Sequence, residues 1–584
     1  MKPYTKPLIA MVLACLVAGC SSTPPEKAEG AAAAADSTGA SLFYGARVIP
    51  GDGKPAMENV NFVVENGKFT AIGSKGEVKA PKGSAEIDLS GQTVTPVFVN
   101  LHAHPGLFKG DRVSPGNYSR ESVMADLKRY AYYGIGAVAS LGGDQGETAF
   151  RIRDEQRERK LEGARMYTSG RGIAAKGGAP SALGDIPLQV SNAAEARKAV
   201  SDEATRRVDL ISIWVDGMKP EIYRAVIDEA HKRNLKVVAH LFSLADAKNL
   251  VESGIDGLAQ SIRDREVDDE LIAAMKARNV FLVPTLTAHE AKFVYAEKVS
   301  WLTDQLMREV YPAQLSAYLS NPVTMNRFKR NPELPALKQQ YATAVKNLKK
   351  MSAGGVKIGL GSDSGSVDTY PGYFEIREIM LMAEAGMPPM DVITAASSVS
   401  AGILGADDLG AIAVGKTGTF LTFSNNPAEK MENIKDMVSL YINGTQVERS
   451  KLVADLEVEV RKITEEDKKK DQAAEIEAAR LAAEAKLPHY GDFVLGPAVR
   501  VRSMAVPTPK SSKVDTRVGP PDRIGVSMRA SAGQLRKFYA EALPAYSWKT
   551  SGSCWERQQP GTNKGQQLCV EVAANSAVIT ITEK

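Results

Sequence analysis

His102-Ala103-His104 ends an apolar run, Thr93-Val94-Thr95-Pro96-Val97-Phe98-Val99-Asn100-Leu101, and Pro105-Gly106 follows at once. In a strand, side chains two apart share a face. Both imidazoles therefore point the same way where a buried strand gives way to a turn, which is half of a divalent metal site. Histidine occurs only six times in 584 residues, so such a pair is informative. His240 closes a second apolar strand, Lys236-Val237-Val238-Ala239-His240, and Asp363 follows a third, Val356-Lys357-Ile358-Gly359-Leu360-Gly361-Ser362. Three imidazoles and a carboxylate drawn from three strand ends suit one zinc-like ion with a position left for water. Asp363 is also the group that would take a proton from that water. His231 reads as a solvated helix position and His289 as a weak candidate for the pocket, while His489 gets no role.

The elements that must hold these residues alternate. Strand-like stretches at 134–141, 208–215, 236–240, 280–284 and 356–362 are interleaved with helical ones such as 220–233 and 244–253. Repeated β-then-α units predict an α/β fold with a (β/α)8 barrel over 96–408, catalytic groups lying at the carboxyl ends of its strands. Short strands precede and follow this region. Asn66-Gly67 and Asn443-Gly444 mark hairpin turns within them. These flanks, 43–95 and 409–450, are predicted to form one small β-sandwich. A charged, alanine-rich helical linker follows at 451–488, then a small α+β domain at 489–584. Its helix begins after Ser531, with Leu535, Phe538, Tyr539 and Leu543 on one stripe.

The first twenty residues read as an export signal. Lys2 and Lys6 precede an apolar core too short to span a bilayer, and Val17-Ala18-Gly19-Cys20 has the form of a lipobox with Cys20 as the lipidated residue. Ser21-Ser22 resembles the start of Gram-negative outer-membrane lipoproteins. Residues 21–42 read as a flexible tether. The expected location is thus the periplasmic face of the cell envelope, with the lipid as membrane anchor. Cys554 and Cys569, the last two of four cysteines, flank a turn-like Gln-Pro-Gly-Thr-Asn stretch and are expected to form a disulfide in that oxidising compartment. Charge is nearly balanced, 73 basic against 69 acidic residues, so nothing favours nucleic acid as a partner.

The chain resembles the metal-dependent amidohydrolase superfamily, in its imidazolonepropionase-like and Xaa-Pro-dipeptidase-like branch. The residues that carry the resemblance run in order from Thr93 through His102-Ala103-His104-Pro105-Gly106, Ile211-Ser212-Ile213-Trp214, Val238-Ala239-His240, Gly254 to Ser261 and Gly361-Ser362-Asp363-Ser364-Gly365 to Leu409-Gly410-Ala411-Ile412. The resemblance implies a distorted (β/α)8 barrel with an attached β-sandwich and a metal-activated water acting on a small-molecule C–N bond.

The departures shape the expectation. The family lysine that bridges two metals as a carbamate is Ser212 here, and a hydroxyl cannot form that group. The family histidine of the next motif is Gln260, a neutral amide and a poor zinc ligand. The resemblance therefore implies one metal held by His102, His104, His240 and Asp363, with Gln260 and Ser212 left as contacts for substrate or water. Asn100 shares the face of His102 and His104 and is expected beneath the metal. Arg171 and Arg263 are the arginines near pocket loops, with a structural role the plainer reading of each. Two functions stay open: hydrolysis of an amide, cyclic amide or dipeptide-like bond, or a barrel that has lost hydrolysis and serves as a binding or scaffolding lipoprotein.

Overall fold

The computed structural model describes residues 39–452 apart from 110–111, 159, 312 and 367, positions 454 and 456, and 489–583 with short gaps. The proposed signal, Cys20 and nearly all of the tether and linker lie outside the described residues. The chain divides into two units, Met1–Val460 and Arg461–Lys584.

In the first unit the apolar strands assemble in parallel, as fully buried β-then-α strands do. One sheet orders Arg165–Thr168, Ile135–Ser140 and Phe98–Ala103. The other runs Leu188–Val190, Ile173–Ala175, Ile211–Trp214, Val237–His240, Gly257–Leu258, Phe281–Leu282 and Lys357–Ile358. The result is a TIM-barrel-like α/β fold, though its ladder is not one closed sheet. Backbone bonds bridge the two sheets: Leu101 N donates to Leu360 O at 2.8 Å and His104 N to Ser364 O at 2.7 Å on one side, and Asp209 N donates to Thr168 O at 2.8 Å on the other. The stretches expected at 280–284 and 356–362 form regular strand only over Phe281–Leu282 and Lys357–Ile358, with backbone bonds continuing from Val283 N to Leu258 O and from Gly359 N to Leu282 O.

The helices follow their apolar stripes. Pro220–His231 starts with proline at its first turn, where a missing N–H costs nothing, and buries Ile222, Tyr223, Val226, Ile227 and Ala230 against the strands. Leu244–Glu252 is capped by Ser243, whose hydroxyl accepts from Asp246 N.

The two flanks meet, and hydrogen bonding joins them into one mixed eight-stranded sheet that brings Phe69 and Phe420, from strands that are not neighbours in it, to 5.9 Å between ring centroids. Phe420–Phe423 pairs with Thr93–Pro96, which pairs with Ala40–Val48. Strand pairing already includes Ala40, so the tether ends earlier than residue 42. Phe43, Phe62, Phe69, Phe420 and Tyr441 pack as stacked and edge-on rings in its core. Both hairpins turn at asparagine and glycine with positive φ, 51° and 76° at Asn66-Gly67 and 53° and 83° at Asn443-Gly444.

The second unit contains a six-stranded antiparallel sheet and the helix Ala532–Ala545, around Phe538, Tyr539, Leu543, Trp548, Leu568 and Ile579. Cys554 and Cys569 oppose each other on neighbouring strands and are disulfide-bonded, with Cα atoms 4.4 Å apart. Among the described residues, no helix is long and apolar enough to cross a membrane.

Candidate metal centre

His102 lies at the end of Phe98–Ala103 and is fully buried. Its Nδ1 is 2.7 Å from the carbonyl of Ala259. A carbonyl can only accept, so Nδ1 carries the proton. Burial, followed by the opposing influence of Asp363 and the added repulsion of His104, holds this imidazole down at about 4, so it is neutral at pH 7. Nε2 is then a bare lone pair. It has no hydrogen-bond partner and faces Asp363 Oδ1 at 3.4 Å. His104 Nε2 approaches the same oxygen at 3.0 Å.

Asp363 reaches this position on an unusual backbone. Its φ is +57°, in the left-handed region that costs a non-glycine residue free energy. Surrounding bonds hold it there. Asp363 N donates to His102 O at 2.9 Å, and its carbonyl accepts from Ser366 Oγ at 2.7 Å and Thr369 Oγ1 at 2.8 Å. Gly361 lets the strand pass close to the first histidine, since a Cβ there would sit 2.2 Å from Val283 Cγ1 and 2.9 Å from His102 Cβ. Burial alone would raise the Asp363 carboxyl, yet its surroundings, the 3.0 Å contact from His104 Nε2 among them, bring it below the usual carboxylate range.

One donor atom each from His102, His104 and Asp363 lies within 4.8 Å of the others. The fourth expected ligand is not in this cluster. His240 ends Val237–His240 with its ring centroid 4.7 Å from that of His102, but its Nε2 is 3.0 Å from Ser212 Oγ. Trp214 stacks on its ring at 4.6 Å and fixes that plane. Burial, reinforced by His102, lowers the His240 pKa and keeps it neutral. Gln260 lies beside the cluster and donates from Nε2 to Asp363 Oδ2 at 3.2 Å.

Asn100 does lie beneath the histidines. Its Oδ1 accepts from His102 N at 2.9 Å and its Nδ2 donates to Glu375 at 2.7 Å. Glu375 also accepts from the Ser362 and Ser364 hydroxyls and from Gly372 N, and so ties both neighbours of Asp363 to Asn100. The sequence reading missed Glu375. Its signal was an acid on the apolar face of Tyr373–Glu384, where a buried carboxylate needs donors.

A cavity of about 340 Å³ opens onto the cluster, with His104, His240, Gln260 and Asp363 in its polar wall beside His289, Lys292 and Asp368. His289 is buried in Leu286–Ala291 and takes a fuller part in the cavity than its sequence context suggested. Arg171 and Arg263 instead donate to backbone carbonyls, of Ile186 and Asp185 and of Leu241 and Ser261. His231 is exposed on its helix and pairs with Asp256 at 2.9 Å.

The fold has counterparts in known proteins. Residues 93–447 match the amidohydrolase family. The chain belongs to that family. It is 37% identical over 101 residues to a dihydroorotase of Geobacter metallireducens, covering 17% of this chain and 21% of that protein. It is 24% identical over 205 residues to an enamidase of Eubacterium barkeri, covering 33% and 47%. A solved Xaa-Pro dipeptidase with methionine in its active site superposes with a TM-score of 0.57 at 22% identity, covering 70% of this chain and 99% of that one. The chain spans about half the length of most curated relatives it matches.

Proposed function

We propose that this protein hydrolyses a C–N bond of an amide, cyclic amide or dipeptide-like substrate, using one divalent metal, with zinc best suited to the donors. The observation that carries this reading is the bare Nε2 of His102 facing the Asp363 carboxylate at 3.4 Å. A lone pair against a carboxylate oxygen is repulsive, and a cation between them satisfies both. His102, His104 and Asp363 would hold that ion, and His240 is near enough to join by giving up Ser212. Such an ion supplies a Lewis acid and makes water acidic enough for a carboxylate to deprotonate it.

The chain's own groups do the rest. Asp363 stays ionised among its imidazoles and accepts the proton released as the water oxygen attacks the substrate carbon. It returns that proton to the nitrogen as the C–N bond breaks. Gln260 fixes the carboxylate through Oδ2, leaving Oδ1 toward the histidines. Asn100 and Glu375 hold the backbone that presents His102. The dihydroorotase, the enamidase and the dipeptidase support the reaction class. The apolar amino terminus supports a lipid at Cys20 and a place at the periplasmic face of the outer membrane.

The Ser212–His240 contact favours a second reading, in which the pocket binds without turnover. A panel of dipeptides, N-acyl amino acids and cyclic amides, assayed with zinc-loaded protein and its Asp363→Asn variant, separates the two. Turnover lost in the variant supports the hydrolase. A metal-loaded wild type inert on the whole panel supports the binding protein.

A further inference from the structure

The cavity carries a second set of polar groups that the proposed chemistry does not use. His289 is 4% exposed, and neither ring nitrogen has a hydrogen-bond partner. Two unpaired buried nitrogens cost free energy unless a ligand meets them. Burial first, then the positive Arg263 and Lys292, keep this imidazole neutral, so it has one N–H to donate. Lys292 lies one residue beyond the helix that carries His289 and lines the same cavity. Among the described residues no carboxylate lies within ion-pair distance of it. Asp368, the other acid of the cavity besides Asp363, feels Arg327 and not Lys292. Arg263 adds positive charge behind this wall, with its guanidinium tied to the carbonyls of Leu241 and Ser261 and laid over the Phe242 ring.

We infer that His289 and Lys292 form a subsite for a carboxylate of the substrate, in the same cavity as the metal cluster. The inference rests on the proposed hydrolysis for its role but not for its geometry. One free ammonium and one neutral N–H match a monoanion with two acceptor oxygens, and a dianion such as a phosphate would leave charge unmatched. A cavity of about 340 Å³ accommodates a small acid. The carboxylate at this wall would fix which end of the substrate faces Asp363, and uncharged analogues would lose that orientation.

The test compares N-acyl amino acids and dipeptides with their C-terminal carboxamides, in hydrolysis and in equilibrium binding by calorimetry. Wild type is expected to favour the acid by about tenfold or more, the size of one charge-assisted hydrogen bond. Lys292→Met should bring the ratio of acid to amide toward one, and Lys292→Glu should invert it. Lys292→Arg should keep most of the preference, and His289→Asn should reduce it. Lys292 is exposed, so these variants are expected to fold. Binding that shows the preference without any turnover would uphold the subsite while removing the hydrolase reading. Equal handling of acid and amide by wild type, or a preference unchanged in both Lys292→Met and His289→Asn, would overturn the subsite.

Discussion

Ser212 Oγ lies 3.0 Å from His240 Nε2, in the register that pairs Ser212 with Val238 and Trp214 with His240 across two parallel strands. The hydroxyl thus occupies Nε2 of His240, which is not among the clustered donors. His102, His104 and Asp363 remain as the group of donors within 4.8 Å. The protein should therefore hold one metal per chain. His102→Ala and Asp363→Ala should each abolish it, whereas His240→Ala should weaken retention by a smaller factor. Elemental analysis after dialysis against a weak chelator reads all three. Two equivalents in the wild type would refute the assignment.

The same contact predicts how a second site could be made. Ser212 is buried and Gln260 already touches Asp363. Ser212→Lys combined with Gln260→His should raise the metal content from one toward two when bicarbonate is supplied, because a lysine carbamate and an added imidazole provide donors that a hydroxyl and an amide cannot. Stoichiometry unchanged in a folded double variant would show that Trp214 and His240 leave no room for the second ion.

The strand ends were legible because period-two patterning and the His-x-His spacing are local signals. His102, His104 and His240 stand where such strands stop, and Asp363 follows the last of them after Ile358. What no local signal carried was the direction of each ring. The turn of His240 toward Ser212 depends on Trp214 stacking beneath it, a contact between neighbouring strands 26 residues apart in sequence. Glu375 is buried under the site by a helix far along the chain, and only its place on an apolar helical face hinted at it. The shortness of Phe281–Leu282 was likewise hidden, since the apolar run continues into Thr285, which turns at φ +47° to start the helix bearing His289.

Reduction should weaken the second unit. The Cys554–Cys569 bond closes a short loop between neighbouring strands. On the chain-entropy account such a loop contributes about 3 kcal/mol. Thiol labelling of the unfolded, unreduced protein should find neither sulfur free. Cys554→Ser with Cys569→Ser should lower the unfolding midpoint of this unit. Two labelled thiols in unreduced protein would contradict the bond.

The proposed envelope location rests on the amino-terminal sequence. Cys20→Ala should release the protein from membranes and abolish labelling by a fatty-acid analogue, because the proposed lipid is attached at that residue. Fractionation after a high-salt wash reads the outcome. Equal retention of the variant would mean that another part of the chain binds the membrane.

A last prediction concerns Glu378, which is fully buried and accepts from Leu286 N, Thr287 N and Thr287 Oγ1. Burial is the dominant influence and pushes its carboxyl up to about 7, against the downward pull of those donors. A carboxyl raised by folding binds its proton more tightly in the folded state than in the unfolded one. Its contribution is thus complete below the unfolded value and is lost as pH rises through about 7. Between pH 5.5 and 8 this group alone should reduce stability by about 2 kcal/mol. Glu378→Gln removes the titration, at the cost of setting its amide NH2 against a backbone donor, so its urea midpoint, though lower throughout, should fall less over that interval than the wild type's. Parallel pH dependence in the two proteins would show instead that the three donors keep Glu378 ionised throughout.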